Sequence, residues 1–379
     1  MIEKHLYLHI FICAYYNFTS MKILLSALLF FLVPATILSN NLQITNVSWN
    51  SGTGRVSFSV SWENSWHDAS GAFHDGVWVF VKYAPNGGTL WKHADISIAG
   101  SIPSPLTAIV PADQKGAFVK RLSTGYGTIP VTTLTFNVLN GDLGPFPDFK
   151  VFGIEMVNVP EEPYYLGGSV SGSEDHFHRG DNVNEAFYVN TSAELPHGST
   201  SGTWASTSSF NYTTNIPAAY PNGYDQFYAM KYPVTQEQYV EFLNTLTFEQ
   251  QDNRTQSDLY ALSTSNHYVM SGTATVSSSY RNGIKADPTI TPGFPVTFFC
   301  DLNENDTINE IDDGQNLVCT YTKDDDWLAY ADWSALRPLT MLEHEKMCRG
   351  PLGPILDERA WGTAGSPSAD SASRCPSAR

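Results

Sequence analysis

The sequence predicts a multidomain, β-rich protein: an N-terminal antiparallel β-sandwich followed by a region that contains helices. Apolar and polar residues alternate with a period of two in several runs between residues 40 and 157, and such alternation is typical of half-buried strands. Helix starts with recognisable N-caps follow Tyr220. A chain of 379 residues is long enough for two ordinary domains.

Residues 40–157 are assigned to the sandwich. The run RVSFSVSWE places apolar side chains on one face and serines on the other. The runs VWVFVKYA, VTTLTFNV and FKVFGIEMV continue this pattern and are separated by turn residues. Trp62, Trp66 and Trp78 suit either a hydrophobic core or a carbohydrate platform, and the pattern favours the core.

Residues 1–39 are interpreted as a leader and signal peptide. Lys22 follows Met21, a short apolar run comes next, and small residues lead to Ser39, which is the layout of a secretory signal. The true start is Met1 or Met21. The competing interpretation is one long membrane anchor from Leu6 to Leu38. Export predicts a secreted, periplasmic or cell-surface protein with no membrane segment after signal cleavage.

Charge and motifs restrict the function classes. The net charge of −17 argues against a nucleic-acid partner, because binding to phosphates depends on Lys and Arg. The sequence contains no HExxH motif, nucleophile elbow or P-loop, so no residue is assigned as catalytic. The expected partner is an unidentified ligand, either an exported protein or a glycan.

The helices are predicted from their caps. Thr235 opens the first helix through a capping box, and acidic residues from Asp324 open the second, which Pro338 is expected to end. Thr340 caps the third helix and Gly350 follows its last turn.

Two polar segments carry weaker signals. His176 and His178 lie close to acidic residues and suit either a transition-metal site or a solvated loop, which is favoured. Residues 363–379, rich in Ala, Ser, Pro and Arg, are read as a disordered tail or a shifted reading frame.

Motifs in the second region resemble a known family. The segments MVNVPEEPYYLGG, FYAMKYPVTQEQYVEFLN, DWLAYADWSALRPLTMLEHEKMCRG and AWG occur in that order. Together they resemble the sulfatase-modifying-factor family, whose members have a formylglycine-generating-enzyme-like domain. The matching positions are Val157, Pro160, Gly167, Val234, Thr235, Phe242, Trp327, Ala329, Tyr330, Trp333, Arg337, Thr340, Glu343, Glu345, Arg349, Gly350, Trp361 and Gly362.

The resemblance implies that residues 158–362 form a partial α+β domain related to C-type lectins, incomplete at its C-terminus. It also implies copper-dependent oxidation of a substrate cysteine to formylglycine, an activity that needs two C-terminal cysteines which the chain lacks. The first expectation is therefore a binding or surface module without oxidase activity. The alternatives are a formylglycine-generating oxidoreductase that modifies exported sulfatases, with copper as its cofactor, and a truncated copy without function.

The stretch from Cys300 to Cys319 predicts a structural calcium site. Oxygen-bearing side chains recur in the spacing of an EF-hand or dockerin loop, and Asp306 stands where such loops place a glycine with positive φ. The alternative is a solvated acidic loop that binds no ion. In an oxidising compartment Cys300 and Cys319 are expected to form a disulfide. The predicted calcium ligands are Asp301, Asn303, Asn305, Thr307, Asn309 and Asp312.

Overall fold

The structure is a computed structural model that describes residues 41–168, 177–207, 212–262, 267–270, 281–287 and 289–355. Among the described residues, strand residues outnumber helical residues, at 35% against 13%, and the sheets are antiparallel, which confirms a β-rich fold. The predictions for residues 1–39, His176 and the tail 363–379 lie outside the described residues. Among those that are described, no helix has the length and apolar character needed to cross a membrane.

Two sheets pack face to face as predicted. One has the strand order β1-β2-β8-β5, and the other has β9-β3-β7-β6 with β4 paired to β3. The alternating residues of β2 and β3 meet in a shared core, where Val56, Phe58 and Val79 are fully buried. The strands are β1 Gln43–Asn50, β2 Arg55–His67, β3 Asp75–Ala84, β4 Lys92–His93, β5 Ile96–Ile98, β6 Leu106–Ile109, β7 Ala117–Arg121, β8 Gly125–Val138 and β9 Asp148–Val159.

The rest of the chain forms short strands and helices. Strands β10 and β12 pair, β11 and β13 pair, and β15, β16 and β17 form a third small sheet. The strands are β10 Tyr164–Leu166, β11 Phe177–Arg179, β12 Phe187–Val189, β13 Trp204–Ser206, β14 Phe227–Met230, β15 His267–Tyr268, β16 Ile284–Ala286 and β17 Phe298–Cys300. The helices are α1 Gln236–Leu243, α2 Phe248–Arg254, α3 Asp324–Trp333 and α4 Met341–Arg349.

Strand β3 is buried on both faces. Its odd-numbered side chains face the sandwich core, whereas Trp78 and Phe80 belong to a second core with α1 and α3. Trp78 Nε1 donates a hydrogen bond to the Ser334 carbonyl at 2.8 Å. Strand β14 also adds to the sandwich sheet by pairing with β9. Residues assigned by sequence to separate regions therefore share a sheet and a core.

The three tryptophans that the sequence pattern assigned to a core differ in their burial. Trp62 and Trp78 are 1% and 2% exposed, so their assignment to the core is confirmed. Trp66 is only partly buried. His178, in the segment that suited either a transition-metal site or a solvated loop, lies on β11 with its Nδ1 2.8 Å from the Arg179 carbonyl oxygen.

Helix caps form largely where they were predicted. Thr235 and Thr340 each form a capping box, and Gly350 follows α4 with φ 61°. Helix α3 ends at Trp333 and not at Pro338. The physical reason is that Ala335 adopts φ 55° and the Leu336 amide donates to the Ala331 carbonyl at 2.8 Å, which turns the chain off the helix early.

The start of α4 gives a prediction for acid stability. Glu343 is 1% exposed and accepts both guanidinium bonds of Arg337, at 2.7 and 2.6 Å, and the Thr340 amide at 2.9 Å. Burial raises the pKa of Glu343, but these hydrogen bonds outweigh it and hold the pKa below its ordinary value. Because the folded pKa is depressed, this stabilisation is complete above the unfolded pKa and is lost as pH falls through the folded pKa.

We expect Glu343→Gln to lower the free energy of unfolding at pH 7 by about 1–2 kcal/mol, since Arg337 is half exposed and screened. Urea titrations from pH 7 to pH 3 measure the difference, which should shrink on the acid side. Glu249→Gln, an exposed first-turn change on α2, is the control. An equal difference at every pH would contradict the expectation.

Candidate metal centre

The loop between β17 and Cys319 is closed by backbone hydrogen bonds. The Leu302 amide donates to the Asp313 carbonyl at 3.2 Å, and the Asn309 amide donates to the Cys300 carbonyl at 3.0 Å. Further along, the Cys319 amide donates to the Val234 carbonyl at 2.9 Å. These contacts bring the two ends of the loop onto the β17 and α1 side of the second core.

The backbone of the loop matches the calcium-loop pattern at the position where that pattern has a glycine. Asp306 has φ 62°, the left-handed conformation expected where such loops place a glycine. Glu304 and Asn309 are also left-handed, with φ 64° and 59°. Asp and Asn tolerate this region better than most residues, so the absence of a glycine does not prevent the turn.

The side-chain oxygens of the predicted amide ligands accept hydrogen bonds from backbone amides. Asn303 Oδ1 accepts from the Asn305 amide at 3.0 Å, and Asn305 Oδ1 accepts from the Thr307 amide at 2.7 Å. Asn309 Oδ1 accepts from the Cys300 amide at 3.1 Å. Each of these oxygens uses one lone pair within the loop.

The structure brings together carboxylates that the spacing pattern only partly identified. One carboxylate oxygen from each of Glu310, Asp312 and Asp313 lies within 4.8 Å of the others. Of these three, only Asp312 was a predicted ligand. Asp313 points inward because its Oδ2 accepts the Glu310 amide at 2.5 Å. The adjacent acidic pair was the signal available in the sequence, but choosing between its two members required the fold.

Two buried carboxylates at this site have an oxygen without a partner. Asp301 and Asp313 are both 0% exposed. Among the residues that the structure describes, Asp301 Oδ1 and Asp313 Oδ1 have no hydrogen-bond partner. Burial raises the pKa of Asp313, and the charges of Asp301, Glu310 and Asp312 add to the rise. A buried carboxylate oxygen without a donor is costly, so both oxygens lack the compensation that burial normally requires.

Lys285 supplies one positive charge to the loop and was missed by sequence reasoning. It reaches the loop from β16, where its ammonium pairs with Asp301 Oδ2 and lies 3.3 Å from Asp306 Oδ1. It also lies 4.9 Å from the centre of the Tyr268 ring. The segment 300–319 has six acidic residues and no Lys or Arg, so one ammonium leaves most of its negative charge uncompensated.

Cys300 and Cys319 are free thiols in the structure, so the predicted disulfide is not formed there. Both belong to the second core, and Cys319 Sγ has its own contacts with Asn282 Nδ2 at 4.0 Å and the Thr320 carbonyl oxygen at 3.9 Å. Burial raises the pKa of Cys300 to about 12 and raises that of Cys319 further. These packed thiols resist ionisation.

The two metals raised by the sequence fit these residues differently. Calcium prefers oxygen ligands, and the clustered carboxylates of Glu310, Asp312 and Asp313 offer them. Copper in a cysteine oxidase requires accessible thiolates. Cys300 and Cys319 are buried in the second core, and burial raises the pKa of both thiols, so neither presents an accessible thiolate to copper.

Comparison with protein-family models, with curated proteins and with solved structures finds no match to this chain.

Proposed function

We propose that this chain is an exported, formylglycine-generating-enzyme-like binding or surface module in which calcium stabilises the loop from Asp301 to Asp313. The observation that carries the proposal is Asp313 Oδ1, a buried carboxylate oxygen with no partner among the described residues, on a residue that clusters with Glu310 and Asp312. A Ca²⁺ ion bound by Asp313, Glu310 and Asp312 would give this oxygen a positive partner and offset much of the negative charge of the cluster. The ion holds the loop in place and takes no part in a reaction.

The thiols support a role without oxidase activity. Oxidation of a substrate cysteine by copper requires thiolates that reach both metal and substrate. Cys300 and Cys319 are buried in an apolar core. Cys348 is partly exposed, lies 3.8 Å from His344 Nε2, and has a pKa raised by burial.

An assay for formylglycine tests this half of the proposal. The purified chain, loaded with Cu(I) and supplied with oxygen, is incubated with a cysteine-bearing sulfatase peptide, and the peptide is analysed by mass spectrometry. We expect no aldehyde product above that formed with copper alone. Copper-dependent formylglycine that requires the chain would overturn the non-enzymatic role and favour the oxidoreductase alternative.

A further inference from the structure

A cavity lies beside the packed contact between the sandwich sheet and the helices. Its volume is about 590 Å³, and it lies between β3 and β4 on one side and α1, α2 and α3 on the other. This size lies within the range of small-molecule sites. The apolar part of its lining includes Trp91, Leu246 and Leu336. None of its lining residues belongs to the 301–313 loop.

Lys82 brings a buried cation to this cavity. Lys82 is 6% exposed, and its ammonium lies 5.5 Å from the centre of the Trp333 ring and 5.9 Å from that of Phe80. Among the described residues, no carboxylate oxygen lies within 4.0 Å of Lys82 Nζ. Asp332, also in the lining, attracts the ammonium only from a greater distance.

His93 holds Lys82 in place but does not neutralise it. His93 Nε2 donates to the Lys115 carbonyl, so Nδ1 keeps its lone pair and accepts from Lys82 Nζ at 3.0 Å. Burial lowers the pKa of His93 to about 4, with the charge of Lys82 contributing. The imidazole is therefore neutral at pH 7.

The other cations of the cavity already have counter-ions. Lys115 pairs with Asp95, and Arg254 Nη1 lies 2.9 Å from Asp326 Oδ1. Burial lowers the pKa of Lys82 to about 7, against a smaller opposing attraction from Asp332. A buried ammonium without a close anion is unfavourable, and an anionic ligand would relieve that cost.

We propose that this cavity binds a small organic carboxylate, whose carboxyl group pairs with Lys82 and whose flat apolar body contacts Trp91, Leu246 and Leu336. Since Lys115 and Arg254 are already paired, the one ammonium without a close carboxylate suits a monoanion, because phosphate sites usually supply several charged or backbone donors. The inference names a ligand class for the binding role proposed above and rests on that role. It does not depend on the calcium ion.

Benzoate and benzamide test the proposal, because they have nearly the same shape and differ in charge. Isothermal titration of the full chain with calcium present should show benzoate binding at least tenfold more tightly than benzamide. Lys82→Met should weaken benzoate binding at least tenfold. The control residue Lys92 lies on β4, is half exposed and pairs with Asp142. Lys92→Met should change neither the benzoate affinity nor the benzamide affinity. Equal binding of both compounds, tighter binding of inorganic phosphate, or full benzoate affinity in Lys82→Met would overturn the inference.

A second measurement needs no variant. Reductive methylation of the wild-type chain by formaldehyde and cyanoborohydride, followed by peptide mass spectrometry, reports the reactivity of each lysine. Benzoate should slow methylation of Lys82 at least threefold, and benzamide should not. Lack of protection would overturn the inference. Benzoate titrations repeated with a calcium chelator distinguish a failure of the carboxylate-binding inference from a failure of the calcium proposal.

Discussion

Calcium is expected to raise the thermal unfolding midpoint of this chain by several degrees, and Asp313→Asn is expected to abolish the rise. Free calcium at about 100 times its dissociation constant stabilises a folded protein by about 2.7 kcal/mol. For a chain of this size, with an unfolding entropy of about 2.1 cal/mol/K per residue, that corresponds to roughly 3–4 °C. Scanning calorimetry with calcium and with chelator measures the shift directly.

The Asp313→Asn variant should also behave differently in chelator. Without an ion, the wild-type chain keeps a buried carboxylate oxygen without a partner, next to the charges of Asp301, Glu310 and Asp312. A neutral amide of the same shape removes that repulsion, so the variant should be at least as stable as the wild type in chelator and less stable in calcium. This reversal distinguishes loss of a ligand from general damage to the fold.

Glu304→Gln is the matched control, because Glu304 lies in the same loop, is exposed, and is outside the carboxylate cluster. It should retain the calcium shift. No shift in the wild-type chain, or an unchanged shift in Asp313→Asn, would mean that the loop is only an acidic surface.

Phe80→Ala is expected to lower the free energy of unfolding by about 3–5 kcal/mol, as for other buried aromatic truncations. Phe80 is 0% exposed. Its ring centre lies 5.3 Å from that of Phe152 and 5.0 Å from that of Trp333. The change therefore opens a cavity between the sandwich sheet and α3, which should destabilise both parts together.

Val79→Ala, on the opposite face of the same strand, is the comparison. It should cost about 2 kcal/mol in the sandwich core. Urea titrations followed by tryptophan fluorescence and far-ultraviolet circular dichroism should give coincident single transitions for both variants. A transition that splits in Phe80→Ala, with the sandwich unfolding at its wild-type midpoint, would show that the two regions fold independently.

Local signals in the sequence predicted the elements well. Alternation identified β2, β3, β8 and β9, and the capping residues Thr235 and Thr340 identified α1 and α4. These signals work because caps and strand faces depend on residues one to four positions apart. Helix α2 was missed although Thr247 and Gln250 form the same capping box, since its short polar sequence has little apolar periodicity.

The acidic loop was recognised in the sequence, but the carboxylates that cluster in it were only partly identified. The alternating oxygens correctly marked Asp306 as a left-handed turn, because that conformation follows from the loop itself. Asp313, Glu310 and Lys285 were missed. Lys285 arrives from another strand, and Asp313 turns inward through hydrogen bonds with Leu302 and Glu310.

The sequence by itself determined the strands of the sandwich, the capped helices and the acidic loop, because neighbouring residues encode them. Only the tertiary structure decided that β3 is buried on both faces, that Asp301 and Asp313 each keep a buried oxygen without a partner among the described residues, and that Lys82 meets a cavity lined by three helices. Burial and charge at these positions depend on residues far apart in the chain, and no local pattern records which of them meet.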